Sequence, residues 1–344
     1  MDSGGDGELL MQRAKKADRE FTQTQQQSRP QDLLTNDTLY AQLEEVREAY
    51  SSALLGAPNL AHSRGAEARL WSLHSRSIDE LQKRLRAAAA EHAKAAGGAP
   101  PPDALLYRQK QLTATIESAL VFYDGLLGRL APAVATAASR SARVLGNAAT
   151  PAAAAAAAAM AAAAEEEEAV REVRGAAMPH AHRVIASHVC LCGGDLRRYL
   201  ATLPYAAGGA RSQRAAESRH RYRLAAALAP THGRPHNCLG VLASAPQLPQ
   251  DPLEAVYRYA RALACNSPYD ARSNLRNQLE RLRRGPAGTH AAAGGATPPP
   301  LPSSAGVAPK DLLAWGAYLA SLASLLHLVL GRRAAPPRSI RRLD

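Results

Sequence analysis

The chain has 344 residues, 46% of them apolar but only 4% aromatic, and 42 basic side chains against 30 acidic ones give a net charge of +12. That length holds two domains or one helical array whose core needs no staples, although alanine supplies much of the apolar fraction and the core is smaller than the percentage suggests. The positive balance favours an anionic partner, whether nucleic acid, phosphorylated peptide or anionic membrane surface. Four cysteines in helical patterns, with no apolar run at the start, argue against a secretory signal and a disulfide framework and point to cytosol or nucleus.

Residues 1–36 open on a Gly-rich acidic tag and run through FTQTQQQSRPQ, a polar stretch with a weak apolar stripe, and are expected to form a flexible arm. From Asp37 a helix begins, with Asn36 or Asp37 as N-cap and Leu39, Leu43, Val46, Tyr50 and Leu54 at helical intervals; Gly56 and Pro58 end it. The next helix, from about residue 65 to 95, reads ARLWSLHSRSIDELQKRLR, with Leu70, Leu73, Ile78, Leu81 and Leu85 on its inner face. Arg76 and Lys83 stand seven residues apart. Their side chains therefore point within about 20° of each other and lie about 10 Å apart along the axis. Two cations so placed can hold one dianion, and a solvated surface pair is the plainer reading of the same spacing.

After AAGGAPPPD a helix from Asp103 to about Leu130 carries the core stripe Leu105, Leu112, Ile116, Leu120, Tyr123 and Leu127. The text then turns Ala-rich, with PAAAAAAAAMAAAAEEEE from Pro151 to Glu168. Poly-Ala favours helix but offers no bulky stripe, and the Glu run repels itself, so residues 132–177 are expected to be a disordered Ala/Glu-rich insertion looped out of the array.

Order returns near Met178, where Val184, Val189, Leu191, Leu196 and Leu200 are the apolar positions and Asp195 precedes Arg197, Arg198 and Tyr199. Helical patterns then follow one another with breaks at Pro230, Gly233, Pro249, Pro252 and Pro268 and no strand signal. Ser218, Tyr222, Ala225 and Pro230, the Leu239–Gly240 pair, and Ala255, Tyr259 and Ala262 fall near the intervals of tetratricopeptide hairpins, in which small residues sit where helices cross. The fold class expected is all-α, a right-handed antiparallel helical array. Cys190 and Cys192 project about 200° apart on one helix and no second ligand pair follows, so buried cysteine is preferred to a zinc site. No nucleophile elbow, phosphate loop or paired-carboxylate constellation appears, so neither enzymatic activity nor a cofactor is expected.

Residues 285–308 read as a flexible linker, 309–333 as a C-terminal helix packing on the array, and 334–344 as a basic tail. Leu312 to Leu330 is 19 residues without a charge, near the membrane-spanning minimum. Leu312, Trp315, Leu319, Leu322, Leu326 and Val329 nevertheless alternate by three and four along one stripe, which favours packing; a tail-anchored receptor is the rival.

GDLRRYL at Gly194 to Leu200 resembles the helix of 14-3-3 proteins that aims an adjacent Arg and Tyr at a phosphoserine. With GRPHNCLGVLA and RYARALACNSPYDARSNL, the run resembles the 14-3-3-like domain of the telomerase-associated and nonsense-mediated decay adaptors, the ever-shorter-telomeres and SMG family. The likeness covers roughly residues 35 to 335 and is strongest from His188 to Asn274. Leu70, Trp71, Leu73, His74, Arg76, Ile78 and Leu81 also match the pattern of the plant-like members.

The resemblance implies a 14-3-3-like helical domain over 37–284, with tetratricopeptide-type hairpins. Arg198 and Tyr199 become the phosphate pair, Arg76 a phosphate ligand, and Lys83 stands where 14-3-3 proteins carry a second phosphate-binding Arg. Asp195 would orient a neighbouring Arg, Arg197 would be an extra charge, and Asn237 is either structural or peptide-contacting. Ala243 departs from the Asn that clamps the ligand backbone in 14-3-3 proteins. The implied function is a phosphoserine-peptide-binding adaptor of nonsense-mediated mRNA decay, cytoplasmic and shuttling to the nucleus. Its implied partners are the phosphorylated RNA helicase of that pathway, which it would recruit to dephosphorylation and decay machinery, and a homologous adaptor as heterodimer partner. The alternative is a telomerase-associated protein binding RNA or single-stranded DNA, for which the supply of aromatic stacking platforms is thin.

Overall fold

The computed structural model describes residues 3–28, 36–96, 101–146, 152–205 and 208–284. Among these the chain forms twelve helices, one isolated β-bridge between His232 and Ser267, and no strand. The expected all-α helical array is what the structure shows.

Helix α1 (Ser3–Gln27) lies along α2 (Asp37–Gly56), followed by the short α3 (Pro58–Ser63) and the long α4 (Ala66–Ala96). The Asn36 carboxamide accepts from the Leu39 amide at 3.1 Å and opens α2, as its sequence signal requires. Helix α5 (Asp103–Leu130) crosses α4 and runs against α8 (His180–Ala201), which pairs with α9 (Gly208–Leu228). The array continues through α10 (Arg234–Ala243), α11 (Pro252–Ala264) and α12 (Arg272–Arg284). One large apolar core runs from α1 to α10, and a smaller one, built on Ala255, Val256, Tyr259, Ala262, Leu275 and Leu279, serves the last hairpin.

Close helix crossings are made by glycine against tyrosine. A Cβ added at Gly194 on α8 would lie 2.5 Å from the Tyr222 ring of α9, and one added at Gly240 on α10 would lie 2.6 Å from the Tyr259 ring of α11. Ser218 Oγ donates to the Gly194 carbonyl at 2.8 Å and Ser187 Oγ to the Ala225 carbonyl at 2.9 Å, so hydroxyls on both helices of the α8–α9 pair hold the seam. Ser218, Tyr222, Ala225, Gly240 and Tyr259 are among the residues whose spacing suggested hairpins; Gly194 and Ser187 are not.

Two stretches differ from expectation. The N-terminal arm is helix α1, whose Met11, Ala14, Ala17 and Phe21 are buried at intervals of three and four. Asp18 on the same helix receives Tyr50 Oη at 2.9 Å and Arg69 Nε at 2.5 Å, so a buried charge pair ties the arm to α2 and α4. The Ala/Glu-rich stretch forms α6 (Pro132–Gly146) and α7 (Ala152–Gly175), both packed on α9. Val134, Ala137 and Ala138 of α6 and Ala169 and Val173 of α7 are buried, because small side chains let these helices approach closely without a bulky stripe. The repulsion within the Glu run is answered by α9: Arg223 Nη1 donates to Glu166 Oε2 at 2.6 Å, and His220 Nδ1 lies 3.5 Å from its Oε1. The linker, the C-terminal helix and the basic tail expected over 285–344 lie outside the described residues, and so does the tail-anchor reading. No described helix is long and apolar enough to cross a membrane.

Candidate functional site

Helix α4 carries Arg76, Asp79, Lys83 and Arg86 at intervals of three, four and three, a single stripe opposite the face that buries Leu70, Leu73, Ile78 and Leu85. Arg76 and Lys83 are exposed and, among the described residues, make neither hydrogen bond nor ion pair. The remainder of the Leu-Trp-x-Leu-His pattern is core. His74 accepts from Arg47 Nε at 3.0 Å and contacts the Leu70 carbonyl at 3.0 Å; burial and then the Arg47 charge push its pKa down to about 3, so the ring is neutral.

Helix α4 touches α8. Burial raises the Asp79 carboxyl, Arg86 and Arg198 pull it down, and Asp195 pushes it up, so Asp79 stands at the seam between Arg76's helix and the Arg198–Tyr199 pair. Arg198 is half-buried and held on three sides. Its Nη2 donates to Asp195 Oδ1 at 3.0 Å, its Nε to Tyr222 Oη at 3.2 Å, and its guanidinium lies 4.7 Å from the centre of the Tyr199 ring. Tyr222 in turn donates its hydroxyl proton to Asp195 Oδ1 at 2.7 Å. Burial, then Asp195, pushes the Tyr199 pKa up to about 12, so at neutral pH its hydroxyl keeps the proton it would donate to an anion.

Asp195 thus orients Arg198, as its place in the motif implied. Arg197 does something else. It turns into the interior, where Nη2 donates to Asp124 Oδ2 at 2.8 Å and Nε lies 3.3 Å from Glu217 Oε2, while Arg221 Nη2 donates to the other oxygen of Asp124 at 2.8 Å. Of two adjacent arginines, one braces α5, α8 and α9 and the next faces the seam. Asn237 is buried on α10, and its side-chain carbonyl accepts from Asn274 Nδ2 at 3.1 Å. That bond joins α10 to α12 and serves the hairpin, apart from the pair on α8. Ala243, where the backbone clamp is missing, is core.

The thiols of Cys190, Cys192 and Cys238 are buried, and burial pushes all three up, Cys190 to about 11, so they pack as small apolar groups. Sequence reasoning passed over two features that the fold creates. Arg234, the first residue of α10, is half-buried with no hydrogen bond or ion pair among the described residues. On the last hairpin, Tyr257 is 57% and Tyr269 40% exposed, the Arg258 guanidinium lies 5.4 Å from the centre of the Tyr257 ring, and α11 and α12 also carry the exposed Arg261, Arg272 and Arg276. Tyrosines spaced as a core pattern gave no sign of this; only the break at Pro268 marks Tyr269 as a loop residue.

Residues 218–293 match the family model described as the Est1 DNA/RNA binding domain. The chain is also similar to the nonsense-mediated mRNA decay factor SMG7 of Arabidopsis thaliana, with 25% identity over 240 residues, which make up 68% of this chain and 20% of that relative. The similarity therefore spans about a fifth of the relative's length, and it takes in parts of the chain beyond the region of the family model. Both comparisons support the Est1/SMG family domain that the motifs of α4, α8 and α10 resemble.

Proposed function

We propose that this chain is a phosphoserine-peptide-binding adaptor of nonsense-mediated mRNA decay, taking a phosphorylated RNA helicase of that pathway as client and bringing it to dephosphorylation or decay machinery. The observation that carries the reading is the α4–α8 seam. Arg198 is held in one orientation with the Tyr199 ring packed against it, and α4, which touches α8, carries the exposed Arg76 and Lys83, without an ion pair among the described residues. A phosphoserine brings about −1.5 to −2 charges and three acceptor oxygens, where the bare serine brings none. Pre-oriented donors favour the modified peptide because little order is lost when the bonds form.

The test is titration of the protein with matched phosphorylated and bare peptides at about 150 mM salt, where loose electrostatics are screened. The phosphorylated peptide is expected to bind at least about tenfold more tightly, the effect of one charge-assisted hydrogen bond, and Arg198→Glu to abolish the difference with the fold intact by circular dichroism. Equal affinity of the unmutated protein for both peptides would end this reading.

A second reading, binding of single-stranded RNA or DNA, is favoured by the description of the matched family and by the exposed Tyr257 and Tyr269 among arginines on α11 and α12. Stacking of bases on aromatic faces beside a cationic track suits a strand without sequence preference. The two readings use different helices and separate under mutation: Tyr257→Ala lowers strand affinity and leaves peptide discrimination unchanged, whereas Arg198→Glu does the reverse.

A further inference from the structure

Beside Arg197 a cavity of about 340 Å³ opens between α5, α6, α8 and α9, within the size range of small-molecule sites. Its wall is mostly polar: Asp124 of α5, Ser139 of α6, Arg197 of α8, and Glu217, His220 and Arg221 of α9. Arg197, Glu217, His220 and Arg221 are buried, whereas Ser139 is exposed and the Asp124 side chain is 39% exposed, so the cavity is reached past α5 and α6. An apolar occupant would leave buried charges without partners, so the space suits a polar one.

The acceptors of this wall are already used. Asp124 takes Arg197 Nη2 on one oxygen and Arg221 Nη2 on the other, both at 2.8 Å. Glu217 takes Gln213 Nε2 at 3.1 Å on Oε1, while its Oε2 receives Arg214 Nη1 at 3.4 Å and lies 3.3 Å from Arg197 Nε. The donors are not all used. Arg197 is occupied on every side, its Nη1 donating to the Gly193 carbonyl at 3.2 Å. Arg221, 6% exposed, gives one hydrogen bond to an oxygen among the described residues, the one to Asp124, so most of its donor fork has no acceptor in the wall. Three guanidiniums, of Arg197, Arg214 and Arg221, thus share two carboxylates. Glu117 adds a third carboxylate only at the rim, 3.9 Å from Arg214 and with its side chain 53% exposed. Burial, then the charge of Arg197, pulls the Arg221 guanidinium below its ordinary range, the mark of a cation that Asp124 alone does not offset.

We infer that this cavity binds a small free acid through its carboxylate, with Arg221 as the anchor. The planar fork of a guanidinium matches a carboxylate with two parallel hydrogen bonds, and the spare positive charge among the three arginines answers its single negative one. Asp124 and Glu217 stand in the same wall and repel a dianion, so a phosphate is disfavoured. The site uses Arg197 and its neighbours, apart from the Arg198–Tyr199 pair, and does not depend on the phosphopeptide reading.

The experiment is a titration of the full chain with acetate, followed by the amide signals in ¹H–¹⁵N NMR at about 150 mM salt; acetamide, the neutral isostere, and inorganic phosphate are run in parallel. Acetate is expected to give saturable shifts at Asp124, Ser139 and Arg221, with acetamide and phosphate giving none that saturate there. Arg221→Gln should weaken acetate at least about tenfold, the effect of one charge-assisted bond. Because Arg221 is buried and its loss can unfold the chain, a second pair of variants on exposed positions of α6 decides independently. Ser139→Glu puts a carboxylate on the cavity wall and should abolish the acetate response. Thr136→Glu, which adds the same charge one turn earlier and outside the wall, should leave it intact. Four outcomes overturn the assignment: no saturable shift with acetate, an equal response to acetamide, phosphate binding in preference to acetate, or an acetate response that survives Arg221→Gln or Ser139→Glu. Shifts spread over the arginines of α11 and α12 as well would show a diffuse cationic surface and overturn it too.

Discussion

Tyr222→Phe separates the positioning of Arg198 from its charge. The Tyr222 side chain is fully buried, and its hydroxyl both donates to Asp195 Oδ1 at 2.7 Å and accepts from Arg198 Nε at 3.2 Å. Phenylalanine fills the same slot against Gly194, so no cavity opens and what is lost is hydrogen bonding. A bond to a buried carboxylate contributes about 1.5–3 kcal/mol, and the oxygen left behind keeps Arg198 Nη2 as a partner, so a loss of about 2 kcal/mol is expected. For a unit of this size that corresponds to a fall in Tm of about 4–8 °C, read by thermal denaturation. Arg198 would keep its charge and its Asp195 contact but lose one of the contacts that hold its plane, so phosphopeptide affinity should drop by about two- to fivefold, far less than with Arg198→Glu. Because no charge changes, the dependence of affinity on salt between about 50 and 300 mM should be the same in both proteins. An unchanged Tm, or a salt dependence that changes with this substitution, would refute the claim that Tyr222 orients Arg198 from within the core.

Two more outcomes follow from the packing. Gly240→Ala should lower the denaturant midpoint even though alanine is the better helix former. The new methyl would lie 2.6 Å from a Tyr259 ring that is buried and hydrogen-bonded to Ser244 at 2.9 Å, and overpacking of that kind costs about 1–3 kcal/mol; a raised midpoint would mean the glycine is not what sets the crossing. The second concerns acid. Burial alone would raise the Asp18 carboxyl, but the hydrogen bonds from Arg69 and Tyr50 outweigh it and hold the group below its ordinary range. Its contribution is therefore full above the unfolded value of about 3.9 and is lost as pH falls through the lower folded value. The Tm gap between the unmutated protein and Asp18→Asn should be widest above about pH 5 and close toward pH 3; a gap that is constant over that range would show that Asp18 is not ionised in the fold.

Much of this architecture was legible because periodicity and local chemistry agree on most helices: the Asn36 cap, the stripe of α2, the inner face of α4 and the Gly240–Tyr259 crossing all sit where spacing put them. The misses have a common physical origin. In α1 the stripe is Met11, Ala14, Ala17 and Phe21, and two alanines in four positions look like a surface until a neighbour arrives to bury them. In α7 the Glu run was judged by its self-repulsion, whereas Glu166 in it meets Arg223 and His220 of α9, which are distant in sequence. The site divides along the same line. Arg198, Tyr199 and Asp195 lie within five residues of one helix, and their mutual contacts follow from helical geometry alone, so a motif could carry them. The different fates of Arg197 and Arg198 depend on Asp124 and Tyr222, which reach α8 from two other helices. Arg234 depends on still more: the turn at Gly233, the loop through Ser267 and the contact of α10 with α8 together set where this half-buried arginine stands. Charge counted along the chain says that an anion will bind; only the pairing of charges in the fold says which arginine is bound to its own helix neighbours, as Arg198 is to Asp195, and which is turned into the interior, as Arg197 is to Asp124.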